Sequence, residues 1–524
     1  MLSFLRANVE VMMVGKPTNT PLLDVVLDKT SNESLQHQLF FQLREMVLIG
    51  RLQPGERLPS TRSLAKELAC SRNTVLGAFD QLLAEGYLEG LSGSGTYISN
   101  ELPDDIGLAS AKSSSYRQAA SDASQRGLSK RGEQLAIMQK EKRAHKNHPA
   151  FSPGMTDVES FPFPLWARSL SRTWRYPKDD LLRNPDPCGY IPLRKEIADY
   201  LRVARGIKCD WQQIMITSGA RQATDFMARI LLDSGDTAWF EEPGYPGLKG
   251  PLHSAGIEMA FVPVDDEGLS VQAGRSMAEN ARMAVVSPSH QYPLGVVMSL
   301  RRRLELLDWA EENDAWILED DYESEFRFSG KPISSLQGLE AERRGHTQGA
   351  SRVVYLGSFS KVLFHVLRLG YLVVPEHLVD AVRSARMLMD ERSSLLAQPA
   401  LADFMAEGHF SSHIRRMRKV YAQRQKMLVQ GIEKYLSDYL EINPNIAGLH
   451  ITAYFTDTVS EKTTDREIVA EADKMNLSAS PLSLFYNNKT TARQGLLLGY
   501  GACHQNQIES GCKRLAAVFK KMTD

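Results

Sequence analysis

The sequence predicts a multidomain protein, with a small and mainly helical N-terminal unit followed by a large α/β unit that ends in a smaller α+β subdomain. The chain has 524 residues, more than one domain usually contains. Apolar residues near the N-terminus recur at helical spacing, whereas beyond residue 151 short apolar runs alternate with helical patterns. The predicted segments are an N-terminal extension (1–30), a first domain (31–100), a basic linker (101–150) and a second domain (151–524), of which about 400–524 is the smaller subdomain.

The composition is typical of a globular protein of the cytoplasm. Apolar residues make up 43% of the chain and charged residues 24%. The formal net charge of -1 excludes a protein that is basic overall, although a small nucleic-acid-binding unit can lie within a neutral chain. The five cysteines form no C-x-x-C pair, so we expect neither a disulfide framework nor a metal site. No run of about 18 uncharged apolar residues predicts a membrane span.

The first domain reads as three helices and a hairpin. Apolar residues recur at helical spacing in 35–47. Ser60 and Ser71 are N-cap candidates for two further short helices, because a serine hydroxyl can accept a bond from the first helical turn. Residues 87–99 read as two short strands around a glycine-rich turn.

Two short helices joined by a tight turn allow the second helix to lie in a DNA major groove. The first turn of that helix carries Arg72, Asn73 and Thr74. Arginine can bind guanine with two hydrogen bonds, and asparagine suits adenine. Arg62, near the start of the preceding helix, is placed to contact phosphates. The alternative interpretation of these helices is a protein-interaction module with a solvated polar face.

The strings L-P-S-x-R-x-L-A, S-R-x-T-V and L-x-x-E-G-Y favour the DNA-binding interpretation. They resemble the GntR class of winged helix-turn-helix domains over essentially all of residues 35–99. The resemblance implies binding to double-stranded promoter or operator DNA. In that class the wing also contacts DNA, which adds Gly93 and its neighbours up to Thr96 to the candidate surface.

Four short segments of the second domain carry polar or aromatic residues where a predicted strand or turn ends. The apolar strand 353–356 is followed by Ser358, Ser360 and Lys361, and then by Arg368. The second segment is Glu319–Asp320–Asp321–Tyr322, after the strand 315–318, and the third is Thr217–Gln222, between a strand and a helix. The fourth is the turn 242–246, in which we expect Tyr245 to be an exposed aromatic residue.

Each segment has an ordinary interpretation when it is taken singly. A lysine after a strand is usually a surface lysine, acidic clusters are often solvated or bind metals, and Ser-Gly before a helix is usually a cap. Together the segments supply the parts of a pyridoxal-phosphate site. These are a lysine for the aldehyde, a carboxylate for the ring nitrogen, a helix N-terminus with hydroxyls and an arginine for the phosphate, and an aromatic ring for stacking.

The strings E-D-D-Y-x-S-E-F, S-F-S-K-x-L-F, L-R-L-G-Y, P-S-H-Q-Y-P-x-G and D-P-x-G-Y resemble the MocR/GabR family. Its members are GntR domains fused to a ligand-sensing, aminotransferase-like domain of the α/β pyridoxal-phosphate-dependent transferase fold type I. The resemblance implies that Lys361 is the Schiff-base lysine, that Asp320 pairs with the pyridinium nitrogen, and that Tyr322 lies near the phenolic oxygen of the cofactor. It further implies that Tyr245 stacks on the ring and that the phosphate is held by Gly219, Ala220, Ser358, Ser360 and Arg368.

Two positions depart from the family pattern. Near the C-terminus the family usually reads L-R-L-G-F, where the arginine matches the one that binds a substrate carboxylate in aminotransferases. Here Leu497 takes that place, and an apolar side chain cannot supply the paired hydrogen bonds that a carboxylate needs. Arg493 lies nearby in sequence. His365 stands where relatives usually carry proline, and nothing around it indicates a paired base.

The sequence therefore predicts a pyridoxal-phosphate-dependent, ligand-responsive transcription regulator rather than an enzyme. Because Leu497 removes the carboxylate-binding arginine, we expect the signal to be pyridoxal phosphate itself, linked to vitamin B6 supply, with an amino compound as a further candidate ligand. The fold-type I resemblance implies a homodimer. The alternatives are an active aminotransferase that carries a DNA-binding domain, and a DNA-binding scaffold whose second domain has lost its cofactor.

Overall fold

The structure is a computed structural model that describes residues 25–31, 33–91, 95–100, 102, 127–138, 150–177, 179–183, 185–328, 334–344, 350–443 and 447–524. The chain divides into two compact units, an N-terminal unit of residues 1–127 and a large unit of residues 128–524. In the parts of the chain that the structure covers, no helix is both long and apolar enough to cross a membrane.

The described residues of the N-terminal unit form three helices and a two-stranded antiparallel hairpin. Its apolar side chains form one small core between the helices and the hairpin. The elements are α1 (Leu35–Leu48), α2 (Thr61–Glu67), α3 (Arg72–Ala84), β1 (Leu88–Leu91) and β2 (Gly95–Ile98).

Both predicted helix caps of this unit are confirmed. The Ser60 hydroxyl accepts a hydrogen bond from the backbone N–H of Ser63 at 3.2 Å, which starts α2. The Ser71 hydroxyl accepts one from the backbone N–H of Thr74 at 3.0 Å, which starts α3. These bonds satisfy backbone donors that a helix N-terminus otherwise leaves unpaired.

Part of the predicted N-terminal extension packs on α1. The amide side chain of Gln42 exchanges two hydrogen bonds with the backbone of Val26, and that of Gln38 does the same with Asp28. Lys29 donates to the carbonyl of Ala69 in the turn between α2 and α3. Residues 25–29 are thus part of the N-terminal unit, while 1–24 lie outside the described residues.

The large unit is built on an eight-stranded sheet with helices on both faces. The strand order is β3-β10-β9-β8-β7-β4-β5-β6, in which β10 and β6 run antiparallel to their neighbours and the other pairs are parallel. The strands are β3 (Ile214–Thr217), β4 (Thr237–Glu242), β5 (Glu258–Asp265), β6 (Gly268–Leu269), β7 (Met283–Val286), β8 (Trp316–Asp321), β9 (Val353–Ser358) and β10 (Gly370–Val373).

Alternation along the strands sends side chains into different cores. In β8, for example, Ile317 joins one apolar core and Leu318 joins another. The helices of this part are α4 (Lys130–Met138), α5 (Phe163–Arg175), α6 (Asp179–Leu182), α7 (Ile191–Ala204), α8 (Ala220–Leu231), α9 (Pro246–Ala255), α10 (Val271–Met277), α11 (Leu300–Glu312), α12 (Leu336–Arg344), α13 (Val379–Met389) and α14 (Gln398–Ala406).

Helix α4 falls inside the predicted linker, most of which lies outside the described residues. Its Arg131 donates to the backbone carbonyl of Ser254 at the end of α9, so this helix belongs to the large unit.

A smaller subdomain with its own core follows α14. Its four-stranded antiparallel sheet has the order β11-β12-β14-β13, and Phe151 adds a bridge to Gly499 at one edge. Helix α14 packs instead in the core beside β3 and β10. The elements are α15 (His409–Tyr435), β11 (Leu440–Ile442), β12 (His450–Phe455), α16 (Asp457–Ser460), α17 (Asp465–Lys474), β13 (Ser480–Pro481), β14 (Gly495–Gly499) and α18 (Gln505–Thr523).

Candidate functional site

The candidate site lies where β7, β8 and β9 reach their carboxyl ends beside the start of α8. Open α/β sheets bind ligands at this edge, because loops diverge there and helix N-termini point towards it. The predicted residues Asp320, Ser358 and Lys361 all lie at these strand ends or directly after them.

The sequence predicts that the three carboxylates follow the strand, whereas in the structure they are the last three residues of β8. Consecutive strand residues point to opposite faces, so Asp320 lies on one face of the sheet and Glu319 and Asp321 lie on the other. Oδ1 of Asp320 is buried and has no hydrogen-bond partner among the described residues. Burial and the neighbouring Asp321 raise the pKa of Asp320 to about 7, while Lys361 opposes that rise.

The two carboxylates on the other face are paired within the protein. Asp321 forms an ion pair with Nε of Arg205 at 2.7 Å and accepts a hydrogen bond from the phenol of Tyr355. Glu319 accepts two backbone N–H bonds, from residues 336 and 337, at 2.9 and 3.0 Å. Oδ1 of Asp321 is also buried without a partner, but Oδ2 of that carboxylate contacts Arg205 and Tyr355, whereas no hydrogen bond or ion pair to Asp320 is found among the described residues.

Lys361 follows β9 and points back over the strand ends. Its Nζ donates to the carbonyl of Gly154 at 2.6 Å. Burial raises the pKa values of Asp320 and Glu323 to about 7, and the charge of Lys361 opposes both rises. Gly154 has φ +74°, and a Cβ there would lie 2.6 Å from Nζ. A side chain at 154 would thus displace the lysine.

The start of α8 and the loop after Lys361 form a basic, hydroxyl-containing corner. Gly219 is the N-cap of α8 with φ +119°, so Ala220 begins the helix with its backbone N–H groups unpaired within the helix. A Cβ on Gly219 would lie 3.7 Å from the guanidinium of Arg368. Ser358 and Ser360 bond each other at the end of β9, through the hydroxyl of the first and the backbone N–H of the second. Such a corner suits a phosphate.

Aromatic rings line the pocket, but Tyr245 is not exposed as the sequence indicated. It is half-buried at the start of α9, because its ring packs edge-on against Tyr292 at 5.3 Å. The ring of Tyr322 packs against the other side of Tyr292 at 6.0 Å. Burial raises the pKa of Tyr322 well above its usual value, so this phenol stays protonated.

The position of the expected carboxylate-binding arginine is dry and apolar. Leu497 is fully buried on the face of β14 that packs against Leu482, Phe485 and Tyr292. Arg493 is exposed and stacks on the ring of Tyr454, 3.8 Å from its centroid. His365 is exposed in a short turn (His365–Leu367) before Arg368.

Three buried residues beside Tyr322 were not predicted from the sequence to belong to the site. His290, in the P-S-H-Q-Y-P string, lies 3.2 Å from the Tyr322 hydroxyl through Nδ1. Glu323 and His450 lie beside it. The string itself pointed to residue 290, but the contact with residue 450 depends on the tertiary fold and has no sequence signal.

These residues fit pyridoxal phosphate. The unpaired oxygen of Asp320 suits a protonated ring nitrogen, and Lys361 is close enough to influence the charge of that carboxylate. The glycine at 219 leaves room beside Arg368 for an anion. When bound, this cofactor supplies an electrophilic aldehyde and an electron-withdrawing ring.

The N-terminal unit presents the predicted DNA-reading residues on its surface. Arg72 and Asn73 are exposed in the first turn of α3, and Arg62 is exposed near the start of α2. Thr74 is half-buried, and its hydroxyl bonds Oγ of Ser71 at 2.8 Å, which commits it in part to the helix cap. Gly93 lies outside the described residues.

Comparison with known proteins identifies both parts. Residues 35–98 match the gntR family of bacterial regulatory proteins, and residues 156–465 match the aminotransferase class I and II family. The chain is similar to the probable rhizopine catabolism regulatory protein MocR of Rhizobium meliloti, with 38% identity over 94% of this chain and 96% of that protein. It is also similar to the HTH-type pyridoxine biosynthesis transcriptional regulator PdxR of Corynebacterium glutamicum, with 31% identity over 93% of this chain and 96% of that protein.

Among solved structures, the chain resembles kynurenine aminotransferase of Pyrococcus horikoshii, solved in complex with PMP. The TM-score is 0.64 and the sequence identity 25%, over 76% of this chain and 96% of that chain. The fold class predicted from the sequence, a GntR-type domain followed by a fold-type I aminotransferase fold, is confirmed.

Proposed function

The chain belongs to the MocR type of GntR transcription regulators, which carry an aminotransferase-like domain, and we propose that it regulates DNA binding in response to pyridoxal phosphate held by Lys361. The proposal rests on one contrast within the pocket. The charges of Asp320 and Lys361 interact at the strand ends, which supports cofactor binding, whereas the position of the expected carboxylate-binding arginine is the buried Leu497.

In this proposal, Asp320 holds the ring nitrogen protonated and Tyr245 packs against the ring. Gly219, Ala220 and Arg368, with the hydroxyls of Ser358 and Ser360, bind the phosphate. Tyr322 donates its phenolic proton within the pocket, since burial keeps that phenol protonated. These are the parts of an aminotransferase that bind cofactor.

The replacement of the carboxylate-binding arginine by Leu497 favours a sensing function over catalytic turnover. A carboxylate placed against Leu497 would lose water and gain no hydrogen bond, which costs several kcal/mol (~2–7) for a polar group. Arg493 lies on Tyr454 and is exposed. We therefore propose pyridoxal phosphate, rather than an amino acid bound to it, as the signal, and a role in the response to vitamin B6 supply.

Two copies of the chain would present two α3 helices to a promoter, with Arg72 and Asn73 reading bases and Arg62 binding phosphate. Exposed apolar side chains at the end of α13, Met387 and Leu388 with 60% and 88% of their surface accessible, support a homodimer. We place the regulator in the cytoplasm as part of the same proposal. A ligand shifts such an assembly only if it binds one of two arrangements more tightly.

The test is DNA binding by the full chain with and without pyridoxal phosphate, measured by footprinting and fluorescence anisotropy on the upstream region of its own gene. We expect the cofactor to change the affinity of the wild-type protein for DNA. Lys361→Ala should abolish the visible absorbance and the borohydride-trapped adduct, and with them the response. Arg493→Ala is the control, since this exposed arginine lies outside the proposed cofactor contacts.

Three results would contradict the proposal. DNA affinity that does not respond to the cofactor would refute the sensor. Multiple turnover of amino acids to keto acids would favour the active aminotransferase instead, and a wild-type protein without visible absorbance after addition of the cofactor would favour the scaffold.

A further inference from the structure

His290 makes a direct contact with the pocket tyrosine. The imidazole lies in the loop after β7, and Tyr322 follows β8, which pairs with β7 up to Val286 and Glu319. Nδ1 of His290 is 3.2 Å from the hydroxyl oxygen of Tyr322. His290 is 2% exposed, so water cannot replace this partner without a rearrangement.

The imidazole of His290 is held on several sides. Gly448 has φ +92°, and a Cβ there would lie 2.3 Å from Cε1 of His290, so the ring position requires glycine at 448. The ring of His450 packs edge-on at 5.2 Å. His450 is itself fixed, because its Nε2 bonds the Pro293 carbonyl at 3.1 Å.

Glu323 selects the tautomer of His290. Its Oε2 lies 3.7 Å from Nδ1 of His290, and a nearby carboxylate oxygen favours a proton on that nitrogen. Burial lowers the pKa of His290 to about 4, so the ring carries one proton at neutral pH. Nε2 is buried and has no partner among the described residues, and a proton placed there would be an unsatisfied donor. The tautomer with the proton on Nδ1 is therefore the one that leaves no buried N–H of this ring without an acceptor, and in that tautomer Nδ1–H donates to the oxygen of Tyr322.

A Tyr322 oxygen that accepts from His290 keeps its own proton for another acceptor. We propose that His290 is a positioning residue, which holds the phenol of Tyr322 so that its proton is available to an acceptor oxygen in the cofactor pocket. The inference rests on the proposed cofactor site, where the phenolic oxygen of pyridoxal phosphate is the expected acceptor. The titratable groups that surround the phenol are Glu323, Asp320, Glu241, Tyr292 and, through its charge on Glu323 and Asp320, Lys361.

The test is a double-mutant cycle of His290→Phe and Tyr322→Phe, in the full chain with pyridoxal phosphate. The first readout is the pH midpoint of the visible absorbance of the bound cofactor. A hydrogen bond donated by Tyr322 stabilises negative charge on the phenolic oxygen of the cofactor, and that negative charge is greatest in the high-pH form. Both single variants should therefore move the midpoint upward. Both should also weaken cofactor affinity, by about two- to tenfold for one hydrogen bond.

If His290 acts through Tyr322, the double variant should match Tyr322→Phe. His290→Asn, which offers a donor close to the position of Nδ1, should restore the midpoint in part. His253→Phe is the control, since this half-buried histidine on α9 lies outside the cluster and should leave the midpoint unchanged. Thermal melting of each cofactor-free variant separates a local effect from a folding defect, and His290→Asn keeps the test valid if His290→Phe does not fold.

Effects that add in the double variant, or an unchanged midpoint in both His290 variants, would overturn the inference and leave the proposed function intact. A wild-type protein that fails to bind pyridoxal phosphate would overturn both.

Discussion

Replacing Asp320 by asparagine should stabilise the cofactor-free protein at alkaline pH and weaken cofactor binding at the same time. Folding raises the pKa of this carboxyl from 3.8 to about 7 through burial and the neighbouring Asp321. Because the folded pKa is the higher one, the folded state loses stability as pH rises from about 3.8, and the loss is complete above about 7.

The magnitude follows from these two pKa values. At 1.36 kcal/mol per pH unit, the rise corresponds to about 4 kcal/mol of lost stability. A buried asparagine brings an unsatisfied donor that costs about 1–3 kcal/mol, so the net gain of Asp320→Asn should be about 1–3 kcal/mol, or a few °C in melting temperature. With cofactor present the sign reverses, because loss of a charged hydrogen bond of about 1.5–3 kcal/mol weakens affinity by roughly 10- to 100-fold.

The assay is differential scanning fluorimetry between pH 5.5 and 8.5, with and without pyridoxal phosphate. Asp321→Asn is the matched control, since it removes the partner of the buried Arg205 and should destabilise the protein under both conditions. A cofactor-free Asp320→Asn protein that melts below the wild type at pH 8.5, or a difference in melting temperature that does not grow with pH, would show that the charge of Asp320 does not destabilise the folded state.

Three further predictions concern single side chains. Ser71→Ala should cost about 1 kcal/mol of stability in the N-terminal unit, because the cap of α3 is lost. The measurement is the urea midpoint of unfolding of that unit, followed by its tyrosine fluorescence or its circular dichroism, and an unchanged midpoint would contradict the capping role. Arg72→Ala should cost about 1–3 kcal/mol at one base position in a binding assay on substituted operators, whereas a uniform loss across sequences would assign Arg72 to a phosphate. Leu497→Arg should lower the melting temperature without producing transamination, because it places a charge in an apolar cluster. Keto-acid formation by that variant would show that the wild-type protein lacks only the carboxylate-binding arginine for transamination.

Local features of the fold could be predicted from the sequence because each depends on neighbouring residues. Ser60 and Ser71 start their helices as predicted, since capping requires only a hydroxyl three residues before a backbone N–H. The bounds of β8 could not be predicted in the same way. The strand continues through its acidic end because Arg205, distant in sequence, pairs with Asp321 there.

The surroundings of the site were the least predictable part. Tyr245 was expected to be exposed on a turn, but Tyr292 covers one side of its ring. The contacts among His290, Glu323 and His450 join the loop after β7, the end of β8 and the start of β12. No spacing rule in a single sequence relates residues so far apart.

The placement of the acids at the end of β8 connects the strand geometry to the proposed sensing. Strand alternation puts Glu319 and Asp321 on the face where backbone N–H groups and Arg205 pair them, and puts Asp320 on the opposite face. The cofactor-free domain therefore keeps a buried acid oxygen without a partner, at a cost in stability. A bound pyridinium would remove that cost, so the free energy of the folded state depends on cofactor concentration. If the pocket is more closed in one arrangement of the dimer than in another, the cofactor binds the first arrangement more tightly. A sensor requires this difference in cofactor affinity, and it requires no catalytic turnover.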